Sequence, residues 1–259
     1  MADLLAAVAE IAQAAGALAL RRSGESYRRW EKAPGLPVSD VDLEVDAFLR
    51  ERLMALAPDA GWLSEETADD PARLSRNRLW VVDPIDGTRD FLRGRPGWAV
   101  SVALVEAGRP VLGVLEAPAM AQRWHAAAGG GAWRGDTRLA APHRITLSGA
   151  RVPTDSLPRE DHDLVMVAKP NSIALRMAMV AAGEADLVAT LRWGFEWDIA
   201  AAALIAAEAG AAVSDALGAP LSFNTVSAQA FGVLVSSPGI HAAAVDRLSA
   251  RATAARAAG

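Results

Sequence analysis

The sequence lacks cysteine altogether and has few histidines and few basic residues. None of its 259 residues is cysteine, which excludes disulfide bonds, thiolate metal sites and cysteine nucleophiles and is typical of a reducing compartment. Its 26 lysines and arginines are outnumbered by 31 acidic residues, so the formal net charge is −5. Because no basic run offsets this charge, we expect neither a nucleic acid polymer nor a membrane as a partner.

A long uninterrupted hydrophobic run is also missing. The most apolar stretch near the N-terminus, Leu4 to Leu20, is interrupted by Glu10 and Gln13 and has no basic segment before it, unlike a signal sequence. No segment reaches the about 18 uninterrupted apolar residues that a membrane span needs. The apolar residues of this stretch recur at helical spacing, which predicts an amphipathic helix in a cytoplasmic protein. They are Leu4, Leu5, Val8, Ile11, Ala12 and Ala15.

Short apolar runs and helix-start signals predict a mixture of strands and helices. Ser39 followed by Asp42 is the pattern of a capping box and predicts a helix that ends near Leu56. The Pro/Gly-containing stretch at 32–37 predicts a break in regular structure before it. Strands are predicted at 61–63, 79–82, 99–105, 110–115, 123–127, 164–168 and 185–190, and further helices at 172–182, 198–209 and 241–258. The three strands between 99 and 127 are spaced like an antiparallel meander.

Length and composition predict one or two domains. A chain of this length with 52% hydrophobic residues can bury a sizeable core. The polar, proline-containing stretch at 141–159 predicts a boundary. We therefore predict an N-terminal α+β unit at 1–145 and a C-terminal unit at 146–259 in which strands alternate with helices.

Asp83 and Asp86 lie three residues apart directly after the predicted strand at 79–82. Carboxylates that converge repel each other, which favours a cation between them. Oxygen ligands without cysteine favour Mg²⁺, Mn²⁺ or Ca²⁺ over Zn²⁺. Gly87 and Thr88, at the start of a helix, would add N–H groups suited to a phosphate. The alternative is a proline turn in which Asp86 merely caps the helix.

Other acidic residues are candidates for the same site. Glu65 and Glu66 follow one apolar run, and Asp198 opens an alanine-rich helix. Burying an unpaired carboxylate at such a position is costly, which favours a functional role. The simpler alternatives are a solvated loop for the glutamates, an N-cap for Asp198 and the capping box alone for Asp42.

Together these motifs resemble the inositol monophosphatase superfamily of metal-dependent, commonly lithium-sensitive phosphomonoesterases. The acidic motif of that family is present as Ser64-Glu65-Glu66-Thr67, its D-P-I-D-G-T signature at 83–88, and its W-D-x-A-A signature at 197–201. Glu208-Ala209-Gly210 follows downstream, and order and spacing agree across nearly the whole chain. The resemblance implies a layered αβαβα sandwich, of the α+β or α/β class, that is often a homodimer.

The resemblance also implies two to three Mg²⁺ ions in each active site. Glu65, Asp83 and the Ile85 carbonyl would hold a first ion, and Asp83, Asp86 and Asp198 a second. Glu65 would hold a third more loosely. Mn²⁺ is implied to substitute for Mg²⁺, whereas Li⁺ and Ca²⁺ are implied to inhibit.

The phosphate and the attacking water have implied partners as well. Asp86, Gly87 and Thr88 match the positions that bind the phosphate of the substrate. Thr88, with Asp42 or Glu65, would orient and deprotonate the water that attacks phosphorus. The expected substrate is a small phosphorylated metabolite, which a protein of net negative charge can bind because the metal ions invert the sign of the site.

The residues around these motifs favour one substrate class. Animal-type inositol monophosphatases have a glutamate seven residues before the aspartate of the W-D motif, where this chain has Leu191, which cannot accept a hydrogen bond. Glu196-Trp197-Asp198 resembles the E-W-D triplet of bacterial 3'(2'),5'-bisphosphate nucleotidases, and Arg192 or Lys169 would meet an additional phosphate. We therefore predict hydrolysis of 3'-phosphoadenosine 5'-phosphate to AMP.

Several alternatives stay open. In the G-S-S-L-K motif of those nucleotidases this chain keeps the leucine and a basic residue, with Ser172 and Ile173 as further candidates for substrate binding. Because the glycine and the paired serines are lost, inositol 1-phosphate is the first alternative. The segment 83–91 also resembles histidinol-phosphate phosphatases, and fructose 1,6-bisphosphate is a further alternative. A catalytically silent module that binds metal or phosphate is the non-enzymatic alternative, against which the intact acidic set speaks.

The remaining candidates are histidines and tryptophans. The histidines stand singly in the sequence, so we predict that they are structural rather than ligands or bases. They are His125, His143, His162 and His241. Trp98 and Trp193 are candidates for the mouth of the site, while most of the tryptophans are predicted to be core or subunit contacts.

Overall fold

Helices and strands alternate in five layers in the structure, a computed structural model that describes residues 1–258. The helices are α1 (Ala2–Ser23), α2 (Asp40–Leu56), α3 (Thr88–Leu92), α4 (Ile173–Ala181), α5 (Glu196–Glu208) and α6 (Pro238–Ala258). The strands are β1 (Arg29–Ala33), β2 (Leu36–Ser39), β3 (Gly61–Ser64), β4 (Arg78–Asp86), β5 (Ala99–Glu106), β6 (Arg109–Ala117), β7 (Gln122–Ala127), β8 (Gly131–Arg134), β9 (Thr137–Arg138), β10 (Arg151–Pro153), β11 (Val165–Val167), β12 (Leu187–Phe195), β13 (Ala212–Ser214) and β14 (Gln229–Ser236).

The large sheet has seven strands in the order β3-β4-β5-β6-β7-β8-β9. β5, β6 and β7 pair antiparallel, which confirms the predicted meander. β3 and β4 pair in parallel, with Ser64 opposite Val82. Because the carboxyl ends of parallel strands meet at one edge of a sheet, the acidic residues that follow β3 and end β4 are brought together.

The first helical layer consists of α1 and α2. The predicted apolar stripe of α1 is confirmed, since Val8, Ala12, Ala15 and Ala19 are buried in a core shared with α2 and β6. By length and composition α1 could cross a membrane, and it lies near the N-terminus. Its apolar face packs on α2 and the sheet, as expected of an amphipathic helix in an outer layer.

The middle helical layer, α4 and α5, lies between the two main sheets. α5 contacts β5 and β6 of the large sheet and also β13 and β14 of the small sheet, so it is apolar on nearly all sides. Its alanines allow a close approach to the large sheet. A Cβ on Gly113 of β6 would lie 2.7 Å from the carbonyl oxygen of Ala201, so only glycine fits there.

The small sheet, in the order β12-β14-β13, is covered on its outer side by α6. The layers are thus α1 and α2, the large sheet, α4 and α5, the small sheet, and α6. This arrangement confirms the predicted αβαβα fold class. The predicted division of the chain near residue 145 stays a prediction.

One predicted break in regular structure is wrong. The stretch at 32–37 belongs to a hairpin in which β1 and β2 pair antiparallel, and Gly35 in its turn has φ of 77°. All five residues of β1 are exposed, so the strand has no alternation of apolar and polar residues that could have revealed it. This hairpin matters because it carries Lys32 to the acidic loop, the segment 65–70 that follows β3.

Candidate active site

Three separate elements bring carboxylates to one edge of the large sheet. Glu65 follows β3, and its N–H donates to the Val82 carbonyl at 3.3 Å, which extends the parallel pairing by one step. Asp83 lies in β4 just before the register shifts between Asp83 and Asp86. Asp198 arrives from the middle helical layer, in the first turn of α5. The layered fold therefore assembles the site from residues far apart in sequence.

Glu65, Asp83 and Asp198 form a tight carboxylate group. One oxygen atom from each lies within 4.8 Å of the others, which is a spacing that one cation can bridge. Burial raises the pKa of Asp83 well above its usual value, and the negative charges of Glu65, Asp86 and Asp198 add to the shift. Burial followed by the charges of Asp86 and Glu65 raises the pKa of Asp198 in the same way. A group of carboxylates that repel one another around the buried Asp83, with oxygen as the only ligand atom, fits a hard divalent cation.

Asp86 lies beside this group but is held by another element. Its Oδ2 accepts hydrogen bonds from the Ser172 hydroxyl and, at 2.8 Å, from the Ala174 N–H at the start of α4. Burial raises the pKa of Asp86 to about 6, although these two bonds and the positive charge of Arg176 oppose the shift. One carboxylate oxygen is thus committed to α4, and the other is the one that Asp86 can offer to a ligand.

The turn after β4 is fixed by its own side chains. Asp83 Oδ1 accepts from the Ile85 N–H at 2.9 Å, and the Thr88 hydroxyl donates to the Ile85 carbonyl at 3.1 Å. Gly87, not Asp86, is the N-cap of α3, with φ of 97°. A Cβ there would lie 2.7 Å from the Gly97 carbonyl oxygen, so both conformation and space require glycine. The alternative that Asp86 caps the helix is therefore wrong.

The Glu65-Glu66 pair lies under the hairpin rather than in a solvated loop. Lys32 Nζ lies 3.1 Å from Glu65 Oε1 and 2.7 Å from Glu66 Oε1, and the Glu66 side chain is only 3% exposed. Burial raises the pKa of Glu66 to about 7, with the Lys32 bond opposing the shift. The solvated-loop alternative is therefore wrong for Glu66. The Glu65 side chain is one-quarter exposed and belongs to the carboxylate group.

Asp42 closes the site from α2. Its Oδ2 accepts from the Ser39 N–H at 2.8 Å and from the Ser39 hydroxyl at 2.6 Å, which confirms the predicted capping box. Burial raises its pKa to about 6, and the charge of Glu65 contributes. Asp46, one turn further along α2, accepts from the hydroxyls of Ser64 and Thr67 and so fixes the acidic loop on this helix.

The residues predicted to bind the rest of the substrate are separated by the structure. Ile173, Arg192 and Asp198 line one small cavity. Ser172 is fully buried and its hydroxyl bonds Asp86, so it lies beneath the site and the prediction that it touches the substrate is wrong. Lys169 lies outside this cavity and forms an ion pair with the exposed Asp155.

Aromatic residues follow Arg192 along the chain at the exposed end of β12. The rings of Phe195 and Trp197 stack at 4.4 Å with an interplanar angle of 6°, and Trp193 meets Phe231 edge-on at 5.4 Å. Trp193 is 39% exposed and Phe195 37% exposed. Trp98, in contrast, is buried against Phe91, so its predicted place at the mouth of the site is wrong.

No histidine of the described chain belongs to the carboxylate group. His241 hydrogen-bonds Ser236 through Nδ1 and Ser214 through Nε2, which joins α6 to two strands of the small sheet. His125 is half-buried in β7, and burial lowers its pKa.

The alternative that Asp198 is the N-cap residue of α5 is wrong, because Phe195 occupies that position. Asp198 is the third residue of the helix, and its Oδ2 accepts from the Phe195 N–H at 3.3 Å.

Known proteins resemble this chain over most of its length. Residues 1–258 match the model of the inositol monophosphatase family. The chain is 36% identical to a histidinol-phosphatase of Mycobacterium tuberculosis, covering 80% of this chain and 85% of the relative. It is 37% identical to an inositol-1-monophosphatase of Mesorhizobium japonicum (71% and 74%) and 33% identical to the 3'(2'),5'-bisphosphate nucleotidase CysQ of Aggregatibacter actinomycetemcomitans (85% and 87%).

The solved structure of a Thermotoga maritima IMPase superposes with a TM-score of 0.83 at 27% identity, covering 98% of this chain and 99% of that one. The fold and the carboxylate group thus define a metal-dependent phosphatase that acts on small phosphorylated substrates. The chain belongs to the inositol monophosphatase family, whose members are phosphoric monoester hydrolases.

Proposed function

We propose that the protein is a Mg²⁺-dependent phosphatase that hydrolyses a 3'(2'),5'-bisphosphate nucleotide, with 3'-phosphoadenosine 5'-phosphate as substrate and AMP as product. The observation that carries the proposal is the group of Glu65, Asp83 and Asp198, in which one oxygen atom from each residue lies within 4.8 Å of the others. Mg²⁺ suits this group because it prefers oxygen ligands and is commonly held by a few carboxylates together with phosphate oxygens.

The residues of the site divide the work of hydrolysis. Glu65, Asp83, Asp86, Asp198 and the Ile85 carbonyl hold the cations, which when bound neutralise the phosphate and stabilise the leaving oxygen. Gly87 and Thr88 bind the phosphate at the start of α3. The Thr88 hydroxyl orients the water, whose oxygen forms a bond to phosphorus as the ester P–O bond breaks. Asp42 or Glu65 takes the proton of the water.

Asp42 is suited to this role by its environment. Burial raises its pKa to about 6, and a base whose pKa lies near the working pH transfers protons most efficiently. Two bonds from Ser39 fix its Oδ2, which leaves Oδ1 as the atom that can accept a proton. The capping box and the proposed proton transfer therefore use different oxygen atoms of the same carboxylate.

The proposed leaving group is a nucleoside monophosphate, AMP, because of the surface around Arg192. Phe195, which lines the same cavity as Asp198, is more than one-third exposed, and an aromatic face is a stacking platform for a base. Arg192, in the same cavity lining as Asp198, can bind the second phosphate through its guanidinium. The similarity to a bisphosphate nucleotidase at 33% identity supports the same substrate.

Inositol 1-phosphate and histidinol phosphate are the alternatives, followed by fructose 1,6-bisphosphate. Leu191, which replaces the glutamate of animal-type inositol monophosphatases, packs against the core near α6 and offers no acceptor to a sugar hydroxyl. The imidazole of histidinol phosphate is flat and could stack on Phe195, and a histidinol-phosphatase is 36% identical to this chain. A silent module that only binds metal or phosphate has no use for Thr88 as a water-orienting group.

The proposal includes further properties that follow from the family resemblance. Mn²⁺ substitutes for Mg²⁺, while Li⁺ and Ca²⁺ inhibit. The protein forms a homodimer. It works in the cytoplasm, a location that agrees with the absence of cysteine and with the packing of the apolar face of α1 against the rest of the protein.

Removal of the metal tests the cation directly. Phosphate release from 3'-phosphoadenosine 5'-phosphate is expected to stop in EDTA and to return with Mg²⁺ or Mn²⁺, because the carboxylates cannot neutralise a phosphate themselves. Ca²⁺ is expected to restore little activity, since it accepts a larger and looser set of ligands. Phosphate release that continues unchanged after chelation and dialysis would refute the metal-dependent mechanism.

A further inference from the structure

A buried arginine joins the acidic loop to a segment 151 residues away. Arg73 lies in the short 3₁₀ turn at Pro71–Ser75 and is only 2% exposed. Its Nε and Nη2 donate to the two carboxylate oxygens of Asp69 at 2.6 and 2.9 Å. Its Nη1 donates to Asn224 Oδ1 at 2.8 Å, and Nη2 also donates to the Thr225 carbonyl at 3.0 Å. The guanidinium thus fixes both segments at once.

Glu196 holds the same segment from the other side. It is the first residue of α5 and is fully buried. Its Oε2 accepts from the Asn224 N–H at 2.7 Å, and its Oε1 accepts from the Thr225 N–H at 2.8 Å and from the Thr225 hydroxyl at 2.6 Å. A buried carboxylate with three donors is satisfied as an anion, so Glu196 is not an open ligand for substrate.

The two buried groups form one chain of contacts, from Asp69 through Arg73 and residues 224–225 to Glu196. Its two ends lie close in sequence to two members of the carboxylate group, because Asp69 follows Glu65 by four residues and Glu196 precedes Asp198 by two. One oxygen atom of Glu65 and one of Asp198 lie within 4.8 Å of each other, and carboxylates at this distance repel each other. Some part of the fold must therefore hold their two elements at a fixed separation when no cation lies between them.

We propose that Arg73 and Glu196 are positioning residues that set the separation of Glu65 and Asp198 and thereby the affinity of the site for its divalent cation. This inference rests on the proposed metal-dependent function. The network contributes no atom to the carboxylate group itself. It acts because each metal ligand must be held within a fraction of an ångström of its productive place, and groups behind the ligands supply that precision.

The test compares metal affinity with stability in variants of the network. Glu196→Gln and Arg73→Met each break it at one end, and Thr225→Val removes only the hydroxyl that bonds Glu196. We expect Mn²⁺ binding, measured by titration calorimetry, to weaken by about 10- to 100-fold in the first two variants. The Mg²⁺ concentration for half-maximal activity rises by the same factor, while kcat at saturating Mg²⁺ changes by less than about threefold.

Two controls separate positioning from loss of stability. Leu53→Ala truncates a fully buried leucine on α2 outside the network, so it lowers the melting temperature and should leave Mn²⁺ affinity unchanged. Thr225→Ser keeps the hydroxyl and should keep the affinity for Mn²⁺. If Glu196→Gln or Arg73→Met fails to fold, the comparison of Thr225→Val with Thr225→Ser provides the test, and Thr225→Val is expected to show an intermediate loss of Mn²⁺ affinity.

The outcomes distinguish a failure of this inference from a failure of the proposed metal-dependent function. If the wild-type protein binds Mn²⁺ and the network variants bind it equally well while melting earlier, as Leu53→Ala does, the network is only structural and this inference is wrong. A wild-type protein that fails to bind Mn²⁺ or Mg²⁺ would refute the proposed function, and this inference with it. A matched loss in Thr225→Val but not in Thr225→Ser supports the inference.

Discussion

Replacing Asp83 with asparagine is expected to abolish most of the activity while making the metal-free protein more stable. Asp83 is buried at the centre of the carboxylate group, and its raised pKa means that its charge costs free energy in the folded state. Asparagine keeps an oxygen for the Ile85 N–H and removes the repulsion from Glu65 and Asp198. We expect kcat/KM to fall by about 10³-fold or more, which corresponds to about 4 kcal/mol of lost transition-state stabilisation.

The melting temperature gives the second half of this prediction. In EDTA the Asp83→Asn variant should melt above the wild-type protein, whereas added Mg²⁺ should stabilise only the wild type. Asp161→Asn is a matched control, because Asp161 is also buried but pairs with Arg251 at 2.7 Å. That control should melt earlier. Lower stability of Asp83→Asn in EDTA, together with normal Mg²⁺-dependent activity, would contradict the proposed role.

Replacing Thr88 with alanine is expected to lower kcat by on the order of 10²-fold or more with little change in the affinity for phosphate or metal. The backbone N–H at the start of α3 remains, so the phosphate keeps that donor. The hydroxyl, which donates to the Ile85 carbonyl at 3.1 Å, is lost, and with it the group that orients the water. Steady-state kinetics at saturating Mg²⁺ measure the change.

Thr88→Ser is the matched variant and should retain much of the rate, because it restores the hydroxyl. The competing explanation is that the Thr88 hydroxyl only stabilises the turn. In that case alanine would cost about 1 kcal/mol of stability and leave turnover nearly intact. A normal kcat with a lowered melting temperature in the alanine variant would therefore refute the catalytic role.

The layers of the fold could be predicted from the sequence because each has a local signal. The short apolar runs of the meander strands, the Ser39 capping box and the apolar stripe of α1 each depend on neighbours within a few residues. All three predictions are confirmed. The hairpin of β1 and β2 escaped prediction because β1 is exposed throughout and only Val38 and Ser39, at the end of β2, are buried. Its contacts with the acidic loop and α3 join residues more than thirty positions apart, as in the bonds of Lys32 to Glu65 and Glu66 and of Arg89 to the Gly35 carbonyl.

The carboxylates of the site could be chosen from the sequence, but their surroundings could not. Asp83 and Asp198 stand in recognisable motifs. Ser172 was assigned to the substrate because its motif resembles one that binds substrate, and only the packing of α4 beside β4 commits its hydroxyl to Asp86. The network of Arg73 and Glu196 has no local pattern, since its partners are brought together by the stacking of layers.

The most direct test of the proposed function is a comparison of kcat/KM for four substrates at saturating Mg²⁺: 3'-phosphoadenosine 5'-phosphate, inositol 1-phosphate, histidinol phosphate and fructose 1,6-bisphosphate. The exposed ring of Phe195, in the same cavity lining as Arg192, predicts that the nucleotide is preferred by about 10-fold or more over each of the others. A higher kcat/KM for inositol 1-phosphate or histidinol phosphate would contradict the nucleotide assignment, and no phosphate release from any of the four would contradict the enzyme itself.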